Sequence, residues 1–249
     1  MSQPAIAIRD LKKEFLLSHS GVGSLKTMFL WWKRPQIEHL RVLNGVTFNV
    51  AKGESVAVVG KNGAGKSTLL SLVARVYKPT SGAVEINGRV APLLELGAGF
   101  HPDLTGIENV FFNGVILGLT RKEIKERLPA IVDFAGLHHH IDAPVRTYSS
   151  GMMARLGFAC AVHVDAEILL VDEVLAVGDY EFEQKCYATI DAFRASGGSI
   201  LFVSHSMEAV RRVADRVIWL KGGLIQAEGA PNEVIAAYEA DGRPVPETA

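Results

Sequence analysis

The sequence predicts an α/β fold with a largely parallel central sheet and an inserted helical subdomain. Short β-rich runs alternate with longer helical patterns, the order expected when helices cover a parallel sheet. Two runs, Ile168-Leu169-Leu170-Val171 and Ile200-Leu201-Phe202-Val203, are continuously apolar, as strands buried on both faces should be. From about residue 103 to residue 164 the strand signal vanishes and helical patterns follow one another.

In chain order, the expected strands are residues 5–8, 46–50, 55–59, 83–86, 168–172 and 199–203. The expected helices are 66–74, 106–117, 121–135, 151–162, 182–195 and 206–214. Residues 240–249 are polar, carry Pro244 and Pro246, and read as a loose tail. A length of 249 residues allows one large domain or two modest ones.

Apolar residues at 48% and charged residues at 21% give an ordinary globular composition. Lys and Arg number 26 against 27 Asp and Glu, which excludes a whole-protein basic field, and no nucleic-acid partner is expected. Cys160 and Cys186 lack metal-ligand spacing and read as buried or half-buried spectators in a reducing compartment. The opening MSQPAIAIRD carries no secretory pattern, and no run approaches the roughly 20 apolar residues of a bilayer span. A role at a membrane would therefore require docking on a protein that crosses it.

The chemistry begins after strand 55–59. Gly60-Lys61-Asn62-Gly63-Ala64-Gly65-Lys66-Ser67 fits G-x-x-x-x-G-K-[ST] between an apolar strand and a helix, the context that makes the pattern informative. Such a loop turns successive N–H groups toward phosphate oxygens, and the helix start adds positive dipole character. Lys66 is placed to charge-pair with β- and γ-phosphates, Ser67 to hold Mg²⁺ and Thr68 to reach an adjacent phosphate. ATP and Mg²⁺ are the expected ligands. Strand 168–172 then ends in Asp172-Glu173, at the sheet edge where ligands of parallel sheets bind. Asp172 is the candidate Mg²⁺ ligand and Glu173 the candidate base for an attacking water. Strand 199–203 ends in Ser204-His205-Ser206, where His205 can donate to a γ-phosphate.

These elements, in this order and over nearly the whole chain, resemble the ATP-binding cassette family. Tyr148-Ser149-Ser150-Gly151-Met152 sits where the family carries its LSGGQ signature, with Ser150 in place of Gly and Met152 in place of Gln. The resemblance implies a P-loop NTPase core, an antiparallel β subdomain at the N-terminal side and a nucleotide-binding domain over residues 1–239, with the helical insertion at about 103–164. It also implies a head-to-tail homodimer, with ATP between one phosphate loop and the Ser149, Ser150 and Gly151 turn of the other copy. Asp179, after Gly178, would cross between the two sites, and Phe15 would stack on adenine. At the family's glutamine loop stands Glu95 or Leu96, and Glu95 is carried as a candidate Mg²⁺ contact.

The strings LLELGAGFHPDLTGIENV, TYSSGMMARLGFA and VDEVLAVGD look like the branch that exports O-antigen, capsule and teichoic-acid polysaccharides. That branch implies a dimeric integral-membrane permease as partner, a lipid-linked polysaccharide as cargo and a place on the cytoplasmic face of the inner membrane. No room for a C-terminal carbohydrate-binding domain is expected. The segment Met28–Lys33, with Trp31 and Trp32 beside Lys33, suits either an interfacial helix or a loop on the domain's own surface. Two other readings compete. A soluble ATP-driven switch of the same superfamily would commonly carry two cassettes or a coiled-coil insertion. A kinase would need a substrate lid, and a GTPase an N-K-x-D.

Overall fold

The computed structural model describes residues 3–18, 37–94, 96–97, 99–172 and 178–241. The chain opens with two long antiparallel strands, β1 (Ile6–Ser18) and β2 (Ile37–Val50). After β3 (Ser55–Val59), which belongs to the main sheet, β4 (Ser81–Ile86) adds to the other edge of β1, completing a three-stranded sheet of order β2-β1-β4. Its buried side is apolar, with Ile6, Ile8, Leu11, Leu43, Val46 and Val50 each 1% exposed or less. The expected strands 5–8 and 46–50 are the inner ends of β1 and β2. Both run further because register shifts at Ile8/Leu11, Leu11/Lys12 and Lys13/Glu14 break the alternation from which a strand is read.

The main sheet contains β3, β5 (Val90–Leu93), β6 (Ile168–Asp172), β7 (Ser199–Val203), β8 (Arg216–Lys221) and β9 (Leu224–Gly229). Its order is β5-β6-β7-β3-β8-β9, parallel throughout except for the β8–β9 pair. Strands β5, β8 and β9 were not anticipated. β5 is four residues long and includes Pro92, which lacks a ladder donor. β9 alternates between exposed and half-buried positions, too weak a contrast for a period-two signal.

Helices cover both faces. Helix α1 (Lys66–Val73) follows β3, and α1 with the antiparallel sheet packs on one face through Leu69, Leu70, Leu170 and Leu201. The other face is covered by α5 (Tyr180–Ala195), α6 (Met207–Val213) and α7 (Pro231–Asp241), with Phe158 of an earlier helix among them. Helix α7 reaches Asp241, so two residues of the expected tail are helical, and 242–249 lie outside the described residues.

Between β5 and β6 stand α2 (Gly106–Ile116), α3 (Arg121–Ala135) and α4 (Ser150–Val162), around a core of their own that includes Val110, Ile124, Ile131, Leu156 and Ala159. Capping boxes start two of them: Thr105 with Glu108 opens α2, and Thr120 with Glu123 opens α3. Each satisfies two of the orphan donors at a helix start. Gly136, at φ 66, closes α3 in the left-handed region that suits glycine.

Candidate functional site

Strand register places the chemistry. Val58 pairs with Val203, and Val203 pairs with Asp172, so three neighbouring strands end abreast. The phosphate loop leaves β3 one residue later, His205 follows β7, and Asp172 closes β6. The order β6-β7-β3 sets an acid, a histidine and a phosphate loop side by side at one sheet edge.

The loop is shaped by backbone. Gly65 caps α1 at φ 102, and a Cβ there would lie 2.8 Å from Leu43 Cδ2 and 2.9 Å from the Val42 carbonyl. Only glycine meets both demands. Lys66 is 5% exposed, and its Nζ donates to the Gly60 carbonyl at 2.8 Å and the Lys61 carbonyl at 3.2 Å. The ammonium is thus held inside the curve of the loop. Ser67 is exposed and Thr68 half-buried on the first turn of α1.

A cavity of about 600 Å³ opens over this loop. Its lining includes the expected Phe15, Asn62, Gly63, Gly65, Lys66, Ser67, Thr68 and His205. It also includes Leu40, Arg41 and Val42 of β2, which sequence reasoning missed. Their signal was the pairing of Phe15 with Leu40 and Glu14 with Arg41, visible only once the strands are in register. Glu14 binds Arg41 at 3.0 Å, and His39 Nδ1 lies 3.4 Å from the same carboxylate. Phe15 meets Tyr77 edge-on at 5.4 Å, and Lys13 Nζ stands 4.7 Å from the Phe15 centroid. The phenyl ring is therefore braced at the cavity mouth, where its remaining face can meet a flat ring.

Ser149, Ser150 and Gly151 do not line this cavity. Ser149 is the N-cap of α4, its hydroxyl accepting from Met152 N–H at 3.2 Å, and Ser150 begins the helix. Both serines are exposed. Asp179 caps α5, accepting from Phe182 N–H at 2.9 Å, and its carboxylate lies 3.9 Å from Arg155 of α4. Ala64 is buried in the loop, and Gly60 accepts the Lys66 bond. Glu173, Glu95 and the segment 28–33 lie outside the described residues. Both cysteines are buried, and burial pushes each thiol up to about 12. Among the described residues no helix is long and apolar enough to cross a membrane.

Residues 43–176 match the ABC transporter family. The chain is 46% identical over 241 residues to the O-antigen export system ATP-binding protein RfbB of Klebsiella pneumoniae, covering 95% of this chain and 98% of that one. It is 39% identical to the teichoic acids export ATP-binding protein TagH of Shouchella clausii, covering 95% of this chain and 65% of that one. Among solved structures, a dimeric ATP-binding cassette in a post-hydrolysis state with ADP and phosphate superposes with a TM-score of 0.73. That pair shares 20% identity over 91% of this chain and 98% of the other, a likeness of fold.

Proposed function

The chain belongs to the ABC transporter family and hydrolyses ATP, and from that premise we propose that it drives export of a lipid-linked polysaccharide, most specifically O-antigen, across a bacterial inner membrane. The observation that supports hydrolysis is the common row of Val58, Val203 and Asp172, which gathers the phosphate loop, the acid and His205. The 46% identity to the O-antigen export protein over nearly both whole chains supports the cargo. The likeness to a teichoic-acid export protein favours teichoic acid as the second reading.

In this mechanism the loop N–H groups and Lys66 hold the β- and γ-phosphates, and Phe15 carries adenine. Ser67 and Asp172 offer one hydroxyl and one carboxylate, the hard oxygen set by which Mg²⁺ is held when it shares substrate phosphates. Bound there, the ion would neutralise phosphate charge. Glu173 takes a proton from the attacking water as its oxygen bonds to the γ-phosphorus, and the bond to the β-phosphate oxygen breaks, leaving ADP and phosphate. His205 donates a hydrogen bond to the γ-phosphate. Two copies pair head to tail, with Ser149 of each capping the other's γ-phosphate. Hydrolysis removes the bridging group, and the copies part.

The partner is a membrane permease. Phe112, Val115 and Ile116 are 48%, 54% and 64% exposed on α2, beside a groove of about 520 Å³ rimmed by Glu108 and Arg121. We assign that face, together with residues 97–105, to the permease at the cytoplasmic side of the membrane.

Replacing the chromosomal copy with a Glu173→Gln version tests the cargo. Loss of one surface glycan with internal build-up of its lipid-linked form is expected and identifies the polymer. An unchanged glycan profile, with the variant expressed and redundancy excluded, removes polysaccharide export.

A further inference from the structure

The loop between β5 and α2 and the turn that leads into α4 are far apart in the chain, yet their backbones are bonded to each other, and the loop itself is folded around a single buried amide. Asn109, in the first turns of α2, is 0% exposed. Its Oδ1 accepts from the His101 N–H at 2.7 Å. Its Nδ2 donates to the carbonyls of His101 and Leu104, each at 3.1 Å, and of Thr105 at 2.9 Å. One side chain therefore closes both ends of the loop 101–105. An amide alone suits the place: a carboxylate keeps the acceptor and loses both donors, and leucine loses all three.

The outer edge of the loop binds the approach to Ser149. Leu104 O accepts from Val145 N–H and Pro102 O accepts from Arg146 N–H, both at 2.9 Å. Arg146 also pairs with Asp103. The first turn of α2 donates to the same strap, from Gly106 N–H to Ala143 O and from Ile107 N–H to Ile141 O. Gly106 lies so close that a Cβ would meet the Tyr148 hydroxyl at 2.4 Å. Tyr148 is 7% exposed, donates its hydroxyl hydrogen to His140 O at 2.7 Å, and directly precedes Ser149.

We propose that Asn109 is a positioning residue for Ser149: it fixes the shape of the loop 101–105, whose backbone is in turn bonded to the strap 140–148, so that force on the loop reaches the serine through one rigid body. This rests on the reading that Ser149 binds the γ-phosphate of the other copy's ATP. Interfaces between packed backbones shift as units, so a loop held by four contacts carries its neighbour with it.

The test uses the full chain in the Glu173→Gln background. It compares ATP-induced dimerisation, by light scattering, with binding of a fluorescent ADP analogue to the monomer, which reads the phosphate loop alone. N109D is expected to raise the ATP concentration for half-dimerisation roughly fivefold, the scale of one or two lost hydrogen bonds, with ADP-analogue affinity unchanged. R146A, on the exposed side of the stitch, shifts dimerisation the same way by less, and the swap D103R/R146D restores it. Dimerisation of folded N109D at the parent's ATP concentration, while S149A fails to dimerise, overturns the proposal. Parallel loss of nucleotide affinity and dimerisation in N109D overturns it too, since that marks a folding role. Should N109D not fold, unchanged dimerisation of R146A overturns it. Normal dimerisation of S149A removes the reading of Ser149 on which it stands.

Discussion

The phosphate loop and the turn at Ser149, which we propose meets the other copy's γ-phosphate, both stand at a helix start, and they are built in opposite ways. The loop is one continuous stretch between β3 and α1, with Lys66 buried in it and Gly65 in the left-handed region at the start of the helix. Ser149 stands exposed, and its place depends on residues 101–109 and 140–148, which meet only in the folded chain. The first site can close around a ligand within one copy. The second stands on an exposed helix start with its hydroxyl capping that helix, the place at which we propose another copy docks. A pocket made of local backbone is robust to its surroundings, whereas a presented side chain is only as well placed as the contacts behind it.

That contrast can be broken at its strong end first. Lys66→Ala removes the buried ammonium, and ATPase activity is expected to fall on the order of 10²–10³-fold, the loss seen when one preorganised donor to developing charge is removed. Nucleotide binding to the monomer should weaken with it, measured by calorimetry. Ser149→Ala should instead lower turnover by about 10- to 100-fold, the worth of a hydrogen bond to a charged group, while monomer affinity holds. If both readouts fall together in Ser149→Ala, the division between the two regions is wrong. The variant also loses a helix cap worth about 1 kcal/mol, which a melting curve would show.

Phe15→Ala sharpens the picture inside the cavity. Loss of stacking on a base costs about 1–2 kcal/mol, so ATP affinity should drop roughly 5- to 30-fold and Phe15→Trp should retain it. Equal affinity for ATP and for inorganic triphosphate in the parent would show that Phe15 carries no base.

The smallest effect lies away from both sites. Arg216 binds both oxygens of Glu54, at 2.7 and 2.9 Å, and donates to the Asn49 carbonyl at 2.6 Å. Burial pushes the Glu54 carboxyl up, but hydrogen bonds from Arg216 and the Ala51 N–H, with the guanidinium charge, outweigh it and hold the value below the ordinary 4.5. A carboxyl lowered in the folded state contributes stability above its unfolded value and loses it as pH falls through the folded one. Melting temperature should therefore decline below pH 4.5 more steeply in the parent than in Glu54→Gln. Superimposable curves would mean that Arg216 holds the strands without help from the charge.

The main-sheet strands β3, β6 and β7 were legible because each is a short apolar run ending in a loop of distinctive chemistry. The places of the loop at 60–67 and of Asp172 were legible for the same reason: each directly follows a short apolar run. β8 and β9 were not, since a strand next to a helix end and a half-exposed edge strand leave little periodic trace. Arg41 was missed because its place at the cavity follows from pairing with Glu14 across strands, a contact between residues 27 positions apart. Asn109 falls within the string LLELGAGFHPDLTGIENV, but its place at the centre of the loop follows only from its burial and four backbone partners.

By itself the sequence determined the α/β class, the phosphate loop and the acidic strand end, because each is set by neighbours within a few residues. The tertiary structure decided which strand ends stand abreast, which residues line the mouth of the cavity and what holds Ser149 in place. Those depend on register and on hydrogen bonds between distant segments, whose energies exist only after the chain has closed.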